Sequence, residues 1–339
     1  MAHSTKTGSR GLSIEVEAPA RLHLGFLDLH GGLGRRFGSI GLTIDSLATC
    51  LHAVKSTGFT ATGPGADRAL KYAKSFISAR EIEGGVHISL KQAIPDHVGL
   101  GSGTQMALAV GTAVDRLYGG DSGSSSIAQT LHRGARSGIG IGAFEQGGFI
   151  LDCGHGDVEG VPQVAVRLPF PEEWRVLLLF DIRGKGLHGT QEVDAFSGLP
   201  EFPEHAAGHL CRLVVMRVLP GVLEKRLQSV ADAVGEIQQV VGDHFSTAQG
   251  GRFTSPAVSE ALSWIKDQGF AGIGQSSWGP TGFVLVEDAA QAQWLERGLK
   301  QRFGEFPPFR CQQVAARNQG ATLNLLQAPT RLRQEKQTR

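Results

Sequence analysis

Residues 95–106 read PDHVGLGSGTQM, with Gly99, Gly101 and Gly103 at alternate positions and Ser102 and Thr104 beside them. A strand-like piece, VHISL at 86–90, precedes the run, and Met106, Val110, Ala113, Val114 and Leu117 share one helical face behind it. The order is strand, glycine loop, buried helix, and it suits an anion. The first turn of a helix carries N–H groups with no internal partner, and the helix dipole adds partial positive charge. Glycine lets a phosphate approach the backbone closely, and the hydroxyls of Ser102 and Thr104 are further donors. The run lacks the GK[ST] of a Walker A loop, and its glycine spacing is not a dinucleotide fingerprint. By itself the pattern equally describes a glycine turn that caps a core helix.

Two more clusters have the residue types for chemistry. Leu22, Leu24 and Phe26 alternate with Arg21, His23 and Gly25, and this strand pattern runs into LHGGLGRRFGS. Asp28, His30, Arg35 and Arg36 sit in or beside that glycine loop, as a polar site or as a solvated hairpin turn. Further on, WRVLLLF at 174–180 reads as a central strand, and DIRGKGLHGTQE gathers Asp181, Arg183, Lys185, His188 and Glu192 behind it. Polar residues past the end of a buried strand are well placed for a site, and they also describe a charged surface loop. His205 and His209 are four apart with Glu201 a turn earlier, a spacing that suits a metal or a solvated helix face.

The positioning elements follow from periodicity. Strands are expected at 14–18, 41–44 and 48–54, a helix at 66–80 and a second at 124–136. The stretch from 137 is too glycine-rich for a helix, and a strand follows at 149–151. Leu223, Leu227, Val230, Val234, Ile237 and Val241 form a stripe for core or subunit contact. A second Gly/Ser loop, AGIGQSSWGPT at 271–281, feeds the strand GFVLV; a helix at 289–303 and a closing strand at 322–326 follow.

The chain has 339 residues, enough for one large or two ordinary domains. A net charge of +1 without a basic run before the tail argues against nucleic acid as partner. No apolar run is read as spanning a bilayer, and MAHSTKTGSR has no apolar signal region, so a cytoplasmic protein is expected. Cys50, Cys153, Cys211 and Cys311 lack CxxC spacing and read as reduced thiols.

APARLHLGFLD, PDHVGLGSGTQ and GIGQSSWGPTGF resemble, in order, the three motifs of the GHMP fold, best known from small-molecule kinases. The resemblance spans about residues 12–327. RLHLGFLDLHGGLGR, IPDHVGLGSGTQMALAVG, SGIGIGAFEQGGFILDCG and RGKGLHGTQE are similar to one branch, the β-ribofuranosylaminobenzene 5′-phosphate synthases. The resemblance implies a two-lobed α+β fold. Residues 12–165 would form a βαβ-rich lobe with the phosphate loop and 166–327 a ferredoxin-like lobe, with flexible tails at 1–11 and 328–339. It also implies a transferase that works without ATP. Phosphoribosyl pyrophosphate joins 4-aminobenzoate or 4-hydroxybenzoate, pyrophosphate and CO2 leave, and the product feeds tetrahydromethanopterin synthesis. Such enzymes are cytoplasmic, homodimeric and Mg2+-dependent. The competing readings are an ATP-dependent kinase of the same fold and a protein that only binds a ligand. The kinases usually carry GLGSS where this chain has Gly103 and Thr104 after Ser102, and Ser277-Trp278 also departs from their third motif.

On this resemblance Gly99, Gly101, Ser102, Gly103 and Thr104 are expected to hold pyrophosphate with Mg2+, and Ser276 and Gly279 to line the same cleft. Arg21, Arg35 and Arg183 are candidate clamps, because the guanidinium fork matches phosphate and carboxylate. Asp28 would stabilise the cationic ribosyl centre or bind Mg2+, with Arg35 and His188 as catalytic companions. His23, His97 and His188 are candidates to orient the arene. The pattern predicts that the two glycine loops meet at one cleft and that Asp28 and Arg35 approach each other across their hairpin.

Overall fold

The alternation at 14–26 belongs to one strand of 17 residues, β1 (Leu12–Asp28), in the computed structural model. The model describes residues 12–157, 160–181, 183, 198–277, 279–304 and 307–327. Bulges between Pro19 and Arg21 and between His23 and Gly25 carry β1 past its proline while it pairs antiparallel with β2 (Phe37–Ser56). The two strands anticipated within β2 are likewise one, with Ser46 at φ 63° between them. β3 (Phe59–Thr62), the helix α1 (Ala66–Ala79) and β4 (Gly85–Gln92) follow, then α2 (Ser102–Leu117). Ile14, Val16 and Ile88 from the sheet close a core with Phe76 of α1 and Met106, Val110 and Val114 of α2.

Two readings of the next stretch need correction. The helix anticipated to residue 136 is α3 (Ser124–Thr130); His132 at φ 52° and Gly134 at φ 82° turn the chain away. The glycine-rich stretch after it does form a helix, α4 (Ile139–Glu145). A Cβ at Gly140 would lie 2.9 Å from Thr104 Cγ2, and one at Gly142 would lie 2.9 Å from Val164 Cγ2. These glycines let α4 press against its neighbours, and that packing outweighs their poor helix propensity. β5 (Phe149–Asp152) pairs with β2, and β6 (Val164–Leu168) pairs with β5.

The second sheet is antiparallel and ferredoxin-like, in the order β10-β7-β9-β8. Its strands are β7 (Arg175–Asp181), β8 (Ile273–Gln275), β9 (Thr281–Val286) and β10 (Phe309–Ala315). The unbroken apolar run of β7 is explained by burial on both faces. Val176 and Leu178, with Phe283 and Leu285, face Leu22 and Leu24 of β1 together with α7 (Leu227–Gln249). Leu177 and Leu179, with Val284 and Val286, face α8 (Pro256–Asp267) and α9 (Ala289–Phe303). The fold is thus the anticipated two-lobed α+β arrangement. The sheets do not divide the chain at residue 165, since β6 spans that position. The final strand, β11 (Thr322–Gln327), returns to pair with β1.

The long stripe is core from Leu227 to Val241, whereas Leu223 ends the preceding helical run and is exposed. That run comprises α5 (Glu204–Leu213), a π-helical turn (Val214–Val218) and α6 (Leu219–Leu223). Contrary to the sequence reading, residues 204–223 have the length and mean hydropathy to cross a membrane by composition alone. In this fold Leu210, Leu213, Val214, Val218 and Val222 pack into the core beside α7. All four cysteines are free.

His23 carries a fold-level consequence. Burial, reinforced by the Arg21 charge, pushes its pKa down from 6.5 to about 3. The folded protein therefore holds the neutral ring, while the unfolded chain takes a proton below about pH 6.5. This stabilisation is complete above 6.5 and declines as pH falls towards 3, by about 1.4 kcal/mol per pH unit. Thermal midpoints measured from pH 7 to pH 4 should fall less steeply in His23→Phe than in the wild type. Identical slopes would show that the ring is not held neutral.

Candidate active site

The three motif stretches converge on one carbonyl. β1 supplies Arg21, whose Nη1 donates to Gly99 O at 2.6 Å, and whose backbone N–H donates to Leu100 O at 3.2 Å. The β8–β9 loop supplies Ser276. Its hydroxyl donates to Gly99 O at 2.8 Å and accepts the His23 N–H at 3.0 Å. The loop backbones touch as well. A Cβ on Gly99 would stand 2.1 Å from Ser276 O, and one on Gly279 would stand 2.3 Å from Gly99 N. The two glycine loops thus meet, as the pattern predicted. Gly99 and Gly279 admit each other's backbone, Ser276 is fully buried between them, and Arg21 braces the loop from behind. These four residues frame the site.

The end suited to an anion is the first turn of α2. Gly101 adopts φ 81° at the N-cap, and no side chain caps the helix there. Ser102 Oγ accepts from Arg68 Nη1 at 3.4 Å, and Arg68 is paired with Asp96 at 2.5 Å. A Cβ on Gly103 would sit 3.7 Å from Arg133 Nη1 and 3.8 Å from Tyr72 Oη, and Arg133 lies over the Tyr72 ring. Arg68, Lys71, Tyr72 and Arg133 also line a cavity of about 630 Å3 between α1 and residues 130–133. Sequence reasoning passed over them because they lie far apart in the chain and read as ordinary helix-surface charges. The Arg68/Tyr72 spacing of four was the available signal.

Asp28 and Arg35 line a second cavity, of about 290 Å3. Their predicted mutual approach takes the form of a shared wall, since each is engaged with backbone. Asp28 Oδ1 accepts the N–H groups of His30 at 2.9 Å and Gly31 at 2.7 Å, closing the turn. Arg35 donates from Nε to Cys153 O at 2.9 Å and from Nη2 to Gly154 O at 2.8 Å. Asp152, which the sequence reading missed, is buried in the same wall. Burial pushes its carboxyl above the usual range, against bonds from Ser39, Gly154, Gly138 and Ser137. Residues 137–140 then join this cavity to α2. Ser137 and Gly138 bond Asp152, while Gly140 O accepts from Gln105 Nε2 at 2.7 Å and its Cα packs on Thr104.

Arg183 stands at the end of β7, largely exposed, its amide donating to Asp181 Oδ1 at 2.8 Å. Burial works to raise the Asp181 pKa, but hydrogen bonds from Ser255 and the Arg183 amide hold it below the ordinary value. His188 and Trp278 lie outside the described residues. His209 pairs with Glu236 and Glu201 with His30. Among the described residues no group of three His, Cys, Asp or Glu is placed to hold a metal. Asp28 therefore offers a single carboxylate, a donor set that fits Mg2+ arriving with substrate phosphates as its other ligands.

Comparison with known proteins agrees with this geometry. Residues 67–148 match the GHMP kinases N terminal domain and residues 218–305 the GHMP kinases C terminal domain. The chain is 30% identical over 328 residues to a beta-ribofuranosylphenol 5'-phosphate synthase of Archaeoglobus fulgidus, covering 92% of this chain and all of that one. It is 29% identical over 299 residues to the Methanothermobacter thermautotrophicus protein of the same name, covering 82% of this chain and 90% of that one. Among solved structures, homoserine kinase from Cytophaga hutchinsonii superposes with a TM-score of 0.62 at 19% identity, over 96% of this chain and 100% of that one. Mevalonate-3-kinase from Thermoplasma acidophilum does so with 0.62 at 12% identity, over 92% and 98%. At these identities the structural matches speak for the fold alone.

Ser276→Ala deletes both bonds of the hydroxyl and leaves the buried His23 N–H without its acceptor. Denaturant unfolding should show a loss of about 1–3 kcal/mol, and Gly99→Ala should cost more, because its Cβ meets backbone. An unchanged midpoint in Ser276→Ala would mean that the loops do not depend on this contact.

Proposed function

The chain belongs to the beta-ribofuranosylphenol 5'-phosphate synthase family of GHMP-fold proteins, and from that premise we propose that it joins phosphoribosyl pyrophosphate to a para-substituted benzoate. The full-length match to the Archaeoglobus fulgidus relative carries this reading. The relatives are named for a phenol product, which makes 4-hydroxybenzoate the first acceptor to try and 4-aminobenzoate the second. In the reaction the bond from the anomeric carbon to pyrophosphate breaks, and pyrophosphate takes the electron pair. The ring carbon bearing the carboxylate forms the new C–C bond. The bond to the carboxylate then breaks, its pair restores the aromatic ring, and CO2 leaves with no net proton transfer. The para hydroxyl or amino group supplies electron density to the attacking carbon. The product would enter tetrahydromethanopterin synthesis, and a cytoplasmic homodimer is part of the proposal.

The roles follow from the geometry. The first turn of α2, with Arg68 and Arg133 beside it, receives the pyrophosphate, where fixed donors stabilise the charge that develops as it leaves. Mg2+, when bound, neutralises part of that charge, with Asp28 as its protein ligand. Asp28 alternatively faces the cationic ribosyl centre directly. Arg35 is a positioning residue that holds the hairpin to residues 153–154.

Incubation with the donor and each benzoate, with and without Mg2+, should release CO2 and pyrophosphate. Phosphorylation of a small molecule by ATP without CO2 release would replace this reading with a kinase. Asp28→Asn should lower kcat by about a hundredfold or more with little change in KM, and near-wild-type turnover would end its catalytic role. Arg35→Lys keeps the charge but cannot span both carbonyls. It should raise KM and lower the thermal midpoint together; a wild-type midpoint would show that the tie to 153–154 is dispensable.

A further inference from the structure

We infer that the cavity beside Asp28 is the pocket for the aromatic ring of the acceptor, walled by Phe37, Leu151 and Val214. The inference rests on the synthase reading and adds the subsite for its second substrate. The cavity of about 290 Å3 lies between the β1–β2 hairpin, β5 and the π-helical turn. An apolar cavity of about 150 Å3 suffices for benzene, so a ring with a carboxylate and a hydroxyl fits. Leu27, Leu33, Phe37, Leu151, Val214 and Val215 supply the apolar lining. The charged groups are confined to Asp28, Arg35, Arg36 and Asp152. Apolar walls with a few convergent polar groups are the general form of a small-molecule site. Arg36 brings positive charge to complement a benzoate, and Arg35, tied to residues 153–154, adds to it against the negative charge of Asp28.

The surrounding backbone is shaped to make this pocket. Pro220 has no N–H to offer the Met216 carbonyl one turn earlier, and the helix widens to a π turn at 214–218. Val214 and Val215, adjacent in the chain, consequently both reach the cavity. Val215 and Leu33, 57% and 88% exposed, form its rim. The pocket also adjoins the pyrophosphate end. Asp152 in its wall bonds Ser137 and Gly138, and Gly140 of the same segment packs on Thr104 in the first turn of α2. Residues 137–140 thus tie the wall of the pocket to the first turn of α2.

Two native cysteines report on the pocket. Cys153 and Cys211 line it, and Cys50, on β2, does not. Alkylation of each thiol by iodoacetamide is followed by peptide mass spectrometry, with and without saturating 4-hydroxybenzoate, in the presence of inorganic pyrophosphate. Cys153 and Cys211 should be slowed about tenfold while Cys50 is unaffected. Equal rates in an enzyme that turns over would overturn the pocket and leave the synthase reading intact. Protection without turnover would support the pocket and count against the synthase reading, and absence of both would end both. Protection that follows protein concentration and ignores the benzoate would assign the rim to a second copy of the chain and overturn the inference. Val215→Trp, placed on the exposed rim, should raise KM for the benzoate about tenfold and leave KM for the donor unchanged. An unchanged benzoate KM overturns the assignment.

Discussion

The Gly99 carbonyl is the point on which the rest of the molecule depends. It accepts from Arg21 on β1 and from Ser276 on the β8–β9 loop, so both lone pairs of one backbone oxygen are engaged by distant parts of the chain. The arrangement works only because neither Gly99 nor Gly279 carries a side chain. The direct contact of the loops ties the first sheet, the start of α2 and the second sheet together at this carbonyl. The first turn of α2, the proposed pyrophosphate end, is therefore positioned by both lobes.

This constraint has an electrostatic cost that the fold absorbs. Burial keeps the ring of His23 neutral, and Arg21 brings a cation beside it that reinforces this. The hydroxyl of Ser276 then satisfies the His23 amide, which the bulge in β1 turns away from the regular ladder. The hydroxyl satisfies only the backbone N–H; the buried Nε2 of the ring has no hydrogen-bond partner among the described residues, and that unpaired atom is part of the cost.

The two cavities divide the chemistry by polarity. One is basic and lies between α1 and residues 130–133, with Arg68 reaching from its wall to Ser102 at the start of α2. The other is mostly apolar, with its charges on one wall, and suits a ring. Residues 137–140 run from Asp152, in the wall of the second cavity, to Thr104 in the first turn of α2. A side chain at 140 would push α4 off α2 and separate the halves of the site.

Much of this was legible in the sequence, because local patterns carry local physics. The alternation in β1, the apolar run of β7, the stripe from Leu227 to Val241 and the strand–glycine–helix order around Gly101 all report backbone period and burial. Together they determined the elements and the loop that starts α2, while the two-lobed α+β arrangement was implied by the resemblance to the GHMP motifs. The tertiary structure decided what the glycines are for. Gly99 and Gly279 serve contact between loops, and Gly140 and Gly142 serve helix packing, because what a missing Cβ makes room for lies elsewhere in the chain. It likewise decided which charges gather. Arg68 and Arg133, or Asp28 and Asp152, share a wall only after strands and helices far apart in sequence are packed together. A one-dimensional pattern holds the period of an element, and the neighbours of a side chain exist only once the elements are assembled.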